Sequence, residues 1–190
     1  TGADGMAIGN DSVASYDGAV AYGGGAQAKY KYSLAIGSAA LTGSNAEGAV
    51  AVGYGAQANG KRSISISGQA AGENDVVIGF GSSSKGASQS NNVVLGTGNE
   101  IYTGKNVVIG NNIHIGPTDN VSGGIVLGDG SSVRQYTTPT DTSINGINIQ
   151  TSNYRLGLNP SNAQEVARGV MAIGNRQIKD VAAGVISATS

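Results

Sequence analysis

The stretch Leu34-Ala35-Ile36-Gly37 is one copy of a four-residue phrase that recurs along the chain, and Val50-Ala51-Val52-Gly53 is the next copy. The others are Met6-Ala7-Ile8-Gly9, Val20-Ala21-Tyr22-Gly23, Val76-Val77-Ile78-Gly79, Val93-Val94-Leu95-Gly96, Val107-Val108-Ile109-Gly110 and Ile125-Val126-Leu127-Gly128, with Ile64-Ser65-Ile66-Ser67 lacking the closing glycine. The closing position recurs at steps of 14, 14, 16, 14, 12, 17, 14 and 18 residues. Such a short, regular unit predicts one coil of a solenoid that is stabilised by stacking on its neighbours.

Within each phrase, bulky apolar residues flank a smaller one, such as Val50 and Val52 around Ala51. This period of two predicts a β-strand. We expect the bulky side to fill the inside of the coil and the side with small residues to be covered as well, which favours oligomerisation. The closing glycine predicts a tight corner. A second, weaker alternation, as at Ala26 and Ala28, predicts the opposite strand of the same coil.

Composition narrows the class of protein. Glycine is 32 of 190 residues, and charged residues are 12%, about half of the roughly 25% usual in soluble domains. The absence of cysteine excludes a disulfide scaffold and a thiolate zinc site. A net charge of -1 without a basic stripe argues against nucleic acid as a partner. We expect no cofactor and no metal, since no acidic, histidine or cysteine residues cluster at ligand spacing.

The chain divides into three parts. Residues 1–134 form the repeat array, and residues 135–168 interrupt it with a predicted strand over Ile144–Ile149 and further elements after it. Those further elements are a strand at 154–158, a hairpin turn at 151–153 between the two strands and a short helix starting at Asn159. The phrase then returns as Val170-Met171-Ala172-Ile173-Gly174 within 169–190.

Two features together resemble the trimeric autotransporter adhesins of Gram-negative bacteria. Ser33-Leu34-Ala35-Ile36-Gly37 and Ala49-Val50-Ala51-Val52-Gly53 are similar to the head repeats of the Yersinia-adhesin type. The family's neck motif is similar to the segment Asn175-Arg176-Gln177-Ile178 followed by Val181-Ala182-Ala183-Gly184. The resemblance covers about 1–134 and 169–184.

The resemblance implies an all-β fold, a left-handed parallel β-roll in each chain, and an obligate homotrimer in which the neck leads into a stalk. It also implies a location at the bacterial cell surface, with a C-terminal barrel in the outer membrane. No apolar run approaches the ~20 residues that a membrane-spanning helix needs, so we expect the membrane anchor to lie outside this fragment.

The best candidate for ligand contact is Lys29-Tyr30-Lys31-Tyr32, a dense cluster in a predicted loop between coils. Tyrosine is enriched at binding surfaces, though lysine is not. The alternative interpretation is a solvated loop whose tyrosines cover the edge of the roll. Weaker candidates of the same type are Lys61-Arg62 and Arg134-Gln135-Tyr136.

His114 is the only histidine and lies between Ile113 and Ile115. Alternation predicts that it points away from both isoleucines. We interpret it as a structural or surface residue, because the sequence places no carboxylate or nucleophile beside it.

The leading hypothesis is therefore a non-enzymatic adhesin head that binds host extracellular matrix or a host cell-surface receptor. The first alternative is a structural spacer whose ligand-binding part lies elsewhere in the full-length protein. An acyltransferase built on a β-solenoid would need a six-residue period, and an ice-binding solenoid would need regular threonine arrays. The chain shows neither pattern.

Overall fold

The structure is a computed structural model that describes residues 2–85, 90–119 and 121–131, together with the strand backbone at 143–144, 147–148 and 171–172. Sheet A contains β1 (Met6–Ile8), β3 (Val20–Tyr22), β5 (Leu34–Ile36), β7 (Val50–Val52), β9 (Ile64–Ile66), β11 (Val76–Ile78), β13 (Val93–Leu95), β15 (Val107–Ile109), β17 (Ile125–Leu127) and β20 (Met171–Ala172). Sheet B contains β2 (Val13–Ala14), β4 (Gln27–Ala28), β6 (Leu41–Thr42), β8 (Gln57–Ala58), β10 (Gln69–Ala70), β12 (Ser83–Ser84), β14 (Glu100–Ile101) and β16 (His114–Ile115).

Alternate strands along the chain belong to the two sheets, and each strand pairs in parallel with its counterpart one coil away. The phrases align residue for residue, so that Ala21 lies opposite Ala35 and Ala35 opposite Ala51. The described chain is therefore an all-β parallel solenoid of about eight coils, with no helix among the described residues. This confirms the solenoid and the two strands per coil that the sequence predicted.

The prediction of which side faces inward was wrong. The small middle residues of the phrase are fully buried, as at Ala21, Ala35 and Ala51. The bulky flanking residues point outward, and Ile8 and Tyr22 remain 48% and 55% exposed. The physical reason is that the facing strands of the early coils leave room only for small side chains, such as those of Ala35 and Thr42.

The interior widens towards the C-terminal end of the described roll. Valine replaces alanine at the buried position of sheet A from Val77 onwards. On the facing strands of sheet B, the buried residues are the larger Ile101 and Ile115. These side chains form one apolar cluster, whereas the earlier coils are filled by clusters of alanine. A change of residue size inside the roll therefore leaves the strand register intact.

Sheet A strands end in glycine because the backbone there requires it. The closing glycines have φ between 102° and 151°, a region that other residues rarely adopt. A Cβ at Gly96 would lie 1.8 Å from the carbonyl oxygen of Gly110 one coil away. Stacked glycines thus let successive corners approach at ladder distance.

The interruption at 135–168 contains a short antiparallel pair, β18 (Ser143–Ile144) and β19 (Ile147–Asn148), with Ile144 opposite Ile147. The single strand predicted over Ile144–Ile149 was therefore wrong, and the Asn145-Gly146 pair is the hairpin signal that should have been recognised. β20 then pairs in parallel with β17, which places the returning phrase in sheet A. The predicted strand at 154–158, the turn at 151–153 and the helix from Asn159 lie outside the described residues.

Candidate binding surfaces

The Lys29–Tyr32 cluster forms the corner between β4 and β5. Lys29 N–H donates a hydrogen bond to Thr42 Oγ1 at 3.0 Å, and the Tyr30 carbonyl accepts one from Ser33 Oγ at 2.7 Å. Lys29 and Tyr30 are half-buried, whereas Lys31 is exposed and Tyr32 is 66% exposed. The corner therefore exposes two of the four predicted side chains to solvent.

An aromatic neighbour that was missed in the sequence completes this corner. The rings of Tyr16 and Tyr30 lie 5.2 Å apart, centroid to centroid, at an interplanar angle of 38°. Their separation of fourteen residues equals the coil step and was the available signal. Tyr32 has a φ of 57°, unusual for a bulky residue, and its ring covers Gly18, where an added Cβ would lie 2.8 Å from Tyr32 Cδ1. We call Tyr16, Tyr30, Lys31 and Tyr32 the tyrosine corner.

Charges alternate along this edge of the roll. Backbone hydrogen bonds connect successive corners through the carbonyls of Asp17, Lys31, Glu47, Lys61 and Glu73. Lys61 Nζ lies 2.9 Å from Glu47 Oε2. The hydrogen bond and charge of Lys61 lower the pKa of Glu47, with smaller contributions from Arg62 and Lys31. The positive charge of Lys31 therefore lies in a nearly neutral row, and the tyrosine corner is aromatic and polar rather than basic.

The weaker candidates lie elsewhere or are engaged. Lys61 pairs with Glu47, and Arg62 pairs with Glu73 and also donates from Nε to Asn74 Oδ1. Arg134-Gln135-Tyr136 lies outside the described residues. So does the neck segment over Asn175–Ile178 and Val181–Gly184.

His114 points outward as predicted, but the structure corrects its surroundings. Glu100 pairs with it in register one coil earlier, and His114 Nδ1 lies 3.4 Å from Glu100 Oε2. The ring of Tyr102 lies 5.7 Å from the imidazole. Ser83, the next residue in this line, is two strand spacings from His114, roughly 9.6 Å, with Glu100 between them. A base must reach the proton that it removes, so this line of residues does not form a nucleophile–base pair.

The ion pair between Lys85 and Glu100 predicts that thermal stability depends on pH in the acid range. A hydrogen bond from Lys85 and the charge of Lys85 lower the pKa of Glu100, and the same contact raises the pKa of Lys85. The pair therefore stabilises the fold above the ordinary glutamate pKa of about 4.3, and this stabilisation is lost as the pH falls through the lowered pKa of folded Glu100. We expect wild type to melt slightly above Glu100→Gln at pH 7, and the two thermal midpoints to converge at acid pH. A difference that persists undiminished at pH 2 would contradict the assignment.

The outward face of sheet A is an apolar surface that runs along the described roll. It carries eighteen residues from nine strands, and none of them is charged. They are Met6, Ile8, Val20, Tyr22, Leu34, Ile36, Val50, Val52, Ile64, Ile66, Val76, Ile78, Val93, Leu95, Val107, Ile109, Ile125 and Leu127. Nine strands at a spacing of about 4.8 Å extend roughly 40 Å. A continuous apolar strip of this length marks a surface that another molecule covers.

Two further properties concern membranes and metals. None of the described residues forms a helix with the length and apolar character needed to cross a bilayer. In the same part of the chain, histidine, aspartate and glutamate residues do not gather in groups of three that could hold a metal ion.

Comparison with known protein families gives a match to the YadA head domain repeat, in two copies, at residues 1–26 and 44–66. The first copy contains β1 to β3, and the second contains β7 to β9. The match confirms the predicted resemblance to the head repeats, and the predicted neck motif lies outside the matched residues. No curated protein sequence matches the chain.

Proposed function

We propose that this chain, of which residues 1–26 and 44–66 match the YadA head domain repeat, forms the head of a homotrimeric bacterial adhesin that attaches to host extracellular matrix or to a host cell-surface receptor. The family match supports an adhesin-type role and a place at the cell surface. In this proposal a C-terminal barrel outside this fragment anchors the protein in the outer membrane.

The observation that carries the proposal is the uncharged outward face of sheet A. Its bulky side chains point away from the interior of the roll, yet bulky apolar residues occupy all eighteen outward positions of the nine strands. Complete burial of a fully exposed side chain of this size contributes about 1.5–3 kcal/mol, and each side chain of this face, partly exposed in the single chain, contributes a fraction of that. We assign this face to contact with two further copies of the same chain, the number three following from the family resemblance.

Three identical chains around one axis strengthen attachment to the host. Each chain presents the same tyrosine corner, so a repetitive matrix protein or a dense layer of receptors can bind more than one tyrosine corner of the trimer. Linked weak contacts raise overall affinity by 10²–10⁴ at about millimolar effective concentration. A modest contact per chain is therefore sufficient for firm adhesion.

We assign the contact with the host to the tyrosine corner. Tyr32 is exposed on a backbone with positive φ, and the rings of Tyr16 and Tyr30 contact each other in the same region of the roll. Rigid tyrosine rings bind at a low entropic cost, and such residues are frequent hot spots. The neutral charge row beside them fits a protein surface rather than a polyanion.

The first test is a screen of the immobilised 190-residue chain against collagen, fibronectin, laminin and immunoglobulin-superfamily receptors. For a ligand found there, we expect Tyr32→Asn to weaken binding about tenfold per site, as expected for loss of a hot spot. Asparagine is chosen because it tolerates the left-handed backbone of this position.

The matched control is Lys105→Asn, which changes the corresponding left-handed corner position, where φ is 63°, five coils further along. It should bind like wild type. A stable trimer that binds no member of the panel would favour the spacer alternative, in which ligand contact lies elsewhere in the full-length protein.

A further inference from the structure

One coil of the roll has a shortened corner. In its neighbours, four residues connect sheet A to sheet B, as in Gly53–Ala56 between β7 and β8. Between β9 and β10 there are only two, Ser67 and Gly68. Ser67 has a φ of 56° in place of the wider angles of the closing glycines, so the chain turns into sheet B at once. Ser65, buried where other coils carry alanine or valine, donates to the Gly68 carbonyl at 2.6 Å and satisfies it.

The short corner leaves a notch in the wall of the roll. Its volume is about 310 Å³, and its lining includes Tyr54 from the coil before and Phe80 from the coil after. Both rings are largely exposed, at 81% and 75%. Gln69, Lys85 and Glu100 line the side towards sheet B.

The notch also interrupts a hydrogen-bond ladder. Elsewhere along this edge, the third residue of each corner donates its N–H to the carbonyl of the second residue in the preceding corner. These bonds are Gly25 to Asn10, Ala39 to Gly24, Gly55 to Ser38, Gly98 to Phe80, Asn112 to Thr97 and Gly130 to Asn111, at 2.8–3.1 Å. Among the described residues, the Tyr54 carbonyl and the Gly81 N–H are left without such a partner. The ladder on the opposite edge, from Gly18 to Gly123, is unbroken.

We propose that this notch is a binding site for an extended peptide segment of a partner protein, which occupies the place of the missing corner. One ladder position lies between the Tyr54 carbonyl and the Gly81 N–H, and two strand spacings amount to roughly 9.6 Å. A single peptide unit placed midway donates its N–H to Tyr54 and accepts from Gly81. This is strand addition to an exposed edge, in which backbone bonds supply affinity.

The aromatic walls favour a peptide over other amide-bearing ligands. Tyr54 and Phe80 flank the opening from the two neighbouring coils. Side chains on one face of adjacent strands lie side by side, so both exposed rings can pack against side chains of a bound extended chain. The Lys85–Glu100 pair, with Nζ 3.1 Å from Oε1, gives the sheet B side no net charge. The proposal goes beyond the adhesive function, because it assigns a second site on the other edge of the roll and holds whether or not Tyr32 contacts a host.

The test uses the whole 190-residue chain in its native assembly and a labelled, N-acetylated and C-amidated hexapeptide, Val-Gly-Tyr-Gly-Ala-Gln, which copies residues 52–57. Fluorescence anisotropy should show saturable binding. A series of peptides with one backbone amide N-methylated at a time should contain a member that binds at least about tenfold more weakly, since one hydrogen bond is lost. Phe80→Ala and Tyr54→Ala should each weaken binding while the fold is kept, because both rings are exposed.

The decisive variant replaces Ser67-Gly68 with the four-residue corner Gly-Tyr-Gly-Ala found at 53–56. It should close the notch and abolish peptide binding, while its thermal midpoint stays equal to wild type or rises because two ladder bonds are restored. Peptide binding that survives this replacement, or no saturable binding to wild type, would overturn the proposal. Binding of N,N′-diacetylchitobiose but not of the peptide would also overturn it and would assign the notch to a sugar. Loss of the assembly in Phe80→Ala would overturn it as well and would assign the notch to a second copy of the chain. Adhesion in the host panel tests the tyrosine corner separately.

Discussion

Ile66→Lys converts the assembly to monomers that keep the β-roll. Ile66 lies on the outward face of sheet A, between Val52 and Ile78 on the neighbouring strands, and is 38% exposed in the single chain. In the proposed trimer it is buried against another copy. An uncompensated buried charge costs about 3–5 kcal/mol, and three copies bring the loss to the order of 10 kcal/mol of assembly free energy.

The measurement is light scattering after gel filtration, with circular dichroism to verify that the β-structure persists. Leu41→Lys is the matched control, because Leu41 also points outward but lies on sheet B between Gln27 and Gln57. That variant should remain trimeric. A wild-type chain that is monomeric at micromolar concentration, or an Ile66→Lys chain that stays trimeric, would refute the assignment of sheet A as the interface.

Gly96→Ala abolishes the stacking of the corners around it. Gly96 has a φ of 125°, and an added Cβ would lie 1.8 Å from the Gly110 carbonyl oxygen. That oxygen belongs to backbone held by ladders on both sides, so neither coil can move away. Backbone strain and the clash together should destabilise the roll by at least about 4 kcal/mol, in the range reserved for severe core lesions. Urea denaturation followed by circular dichroism measures it.

Gly24→Ala is the control for that substitution. Gly24 lies in a corner as well, but its φ is outside the left-handed region and a Cβ would meet only the Asn10 carbonyl at 3.9 Å. Alanine there should be neutral or should stabilise by about 0.4–1 kcal/mol through the unfolded chain. Equal midpoints for the Gly96 and Gly24 variants would show that the closing glycines are not required by the corner geometry.

The neighbourhood of His114 shows why contacts escape a reading of the sequence alone. Glu100 precedes it by fourteen residues and Lys85 precedes Glu100 by fifteen. In a solenoid these separations are one coil, so residues remote in sequence become lateral neighbours. The same holds for Tyr16 and Tyr30. The coil step, once known, is the signal that finds such pairs, and it requires the exact strand register.

The strands, the corners and the location of the irregular coil follow from the sequence by itself. The period of two within each phrase indicates the strands, and the closing glycine indicates the corner. The step of only 12 residues from Ser67 to Gly79 marks the short coil. These are local properties, fixed by backbone geometry and side-chain alternation within a few residues.

Only the tertiary structure decided which side of the strands faces inward. Alternation defines two sides of a strand but is symmetric between them. The rule that large apolar residues lie inside fails in the early coils, whose interior holds only small residues such as Ala35, Thr42 and Ala51. The tertiary structure likewise brought the Tyr54 carbonyl and the Gly81 N–H to the two sides of one empty ladder position. Both outcomes depend on the distance between coils and sheets, which no single repeat contains.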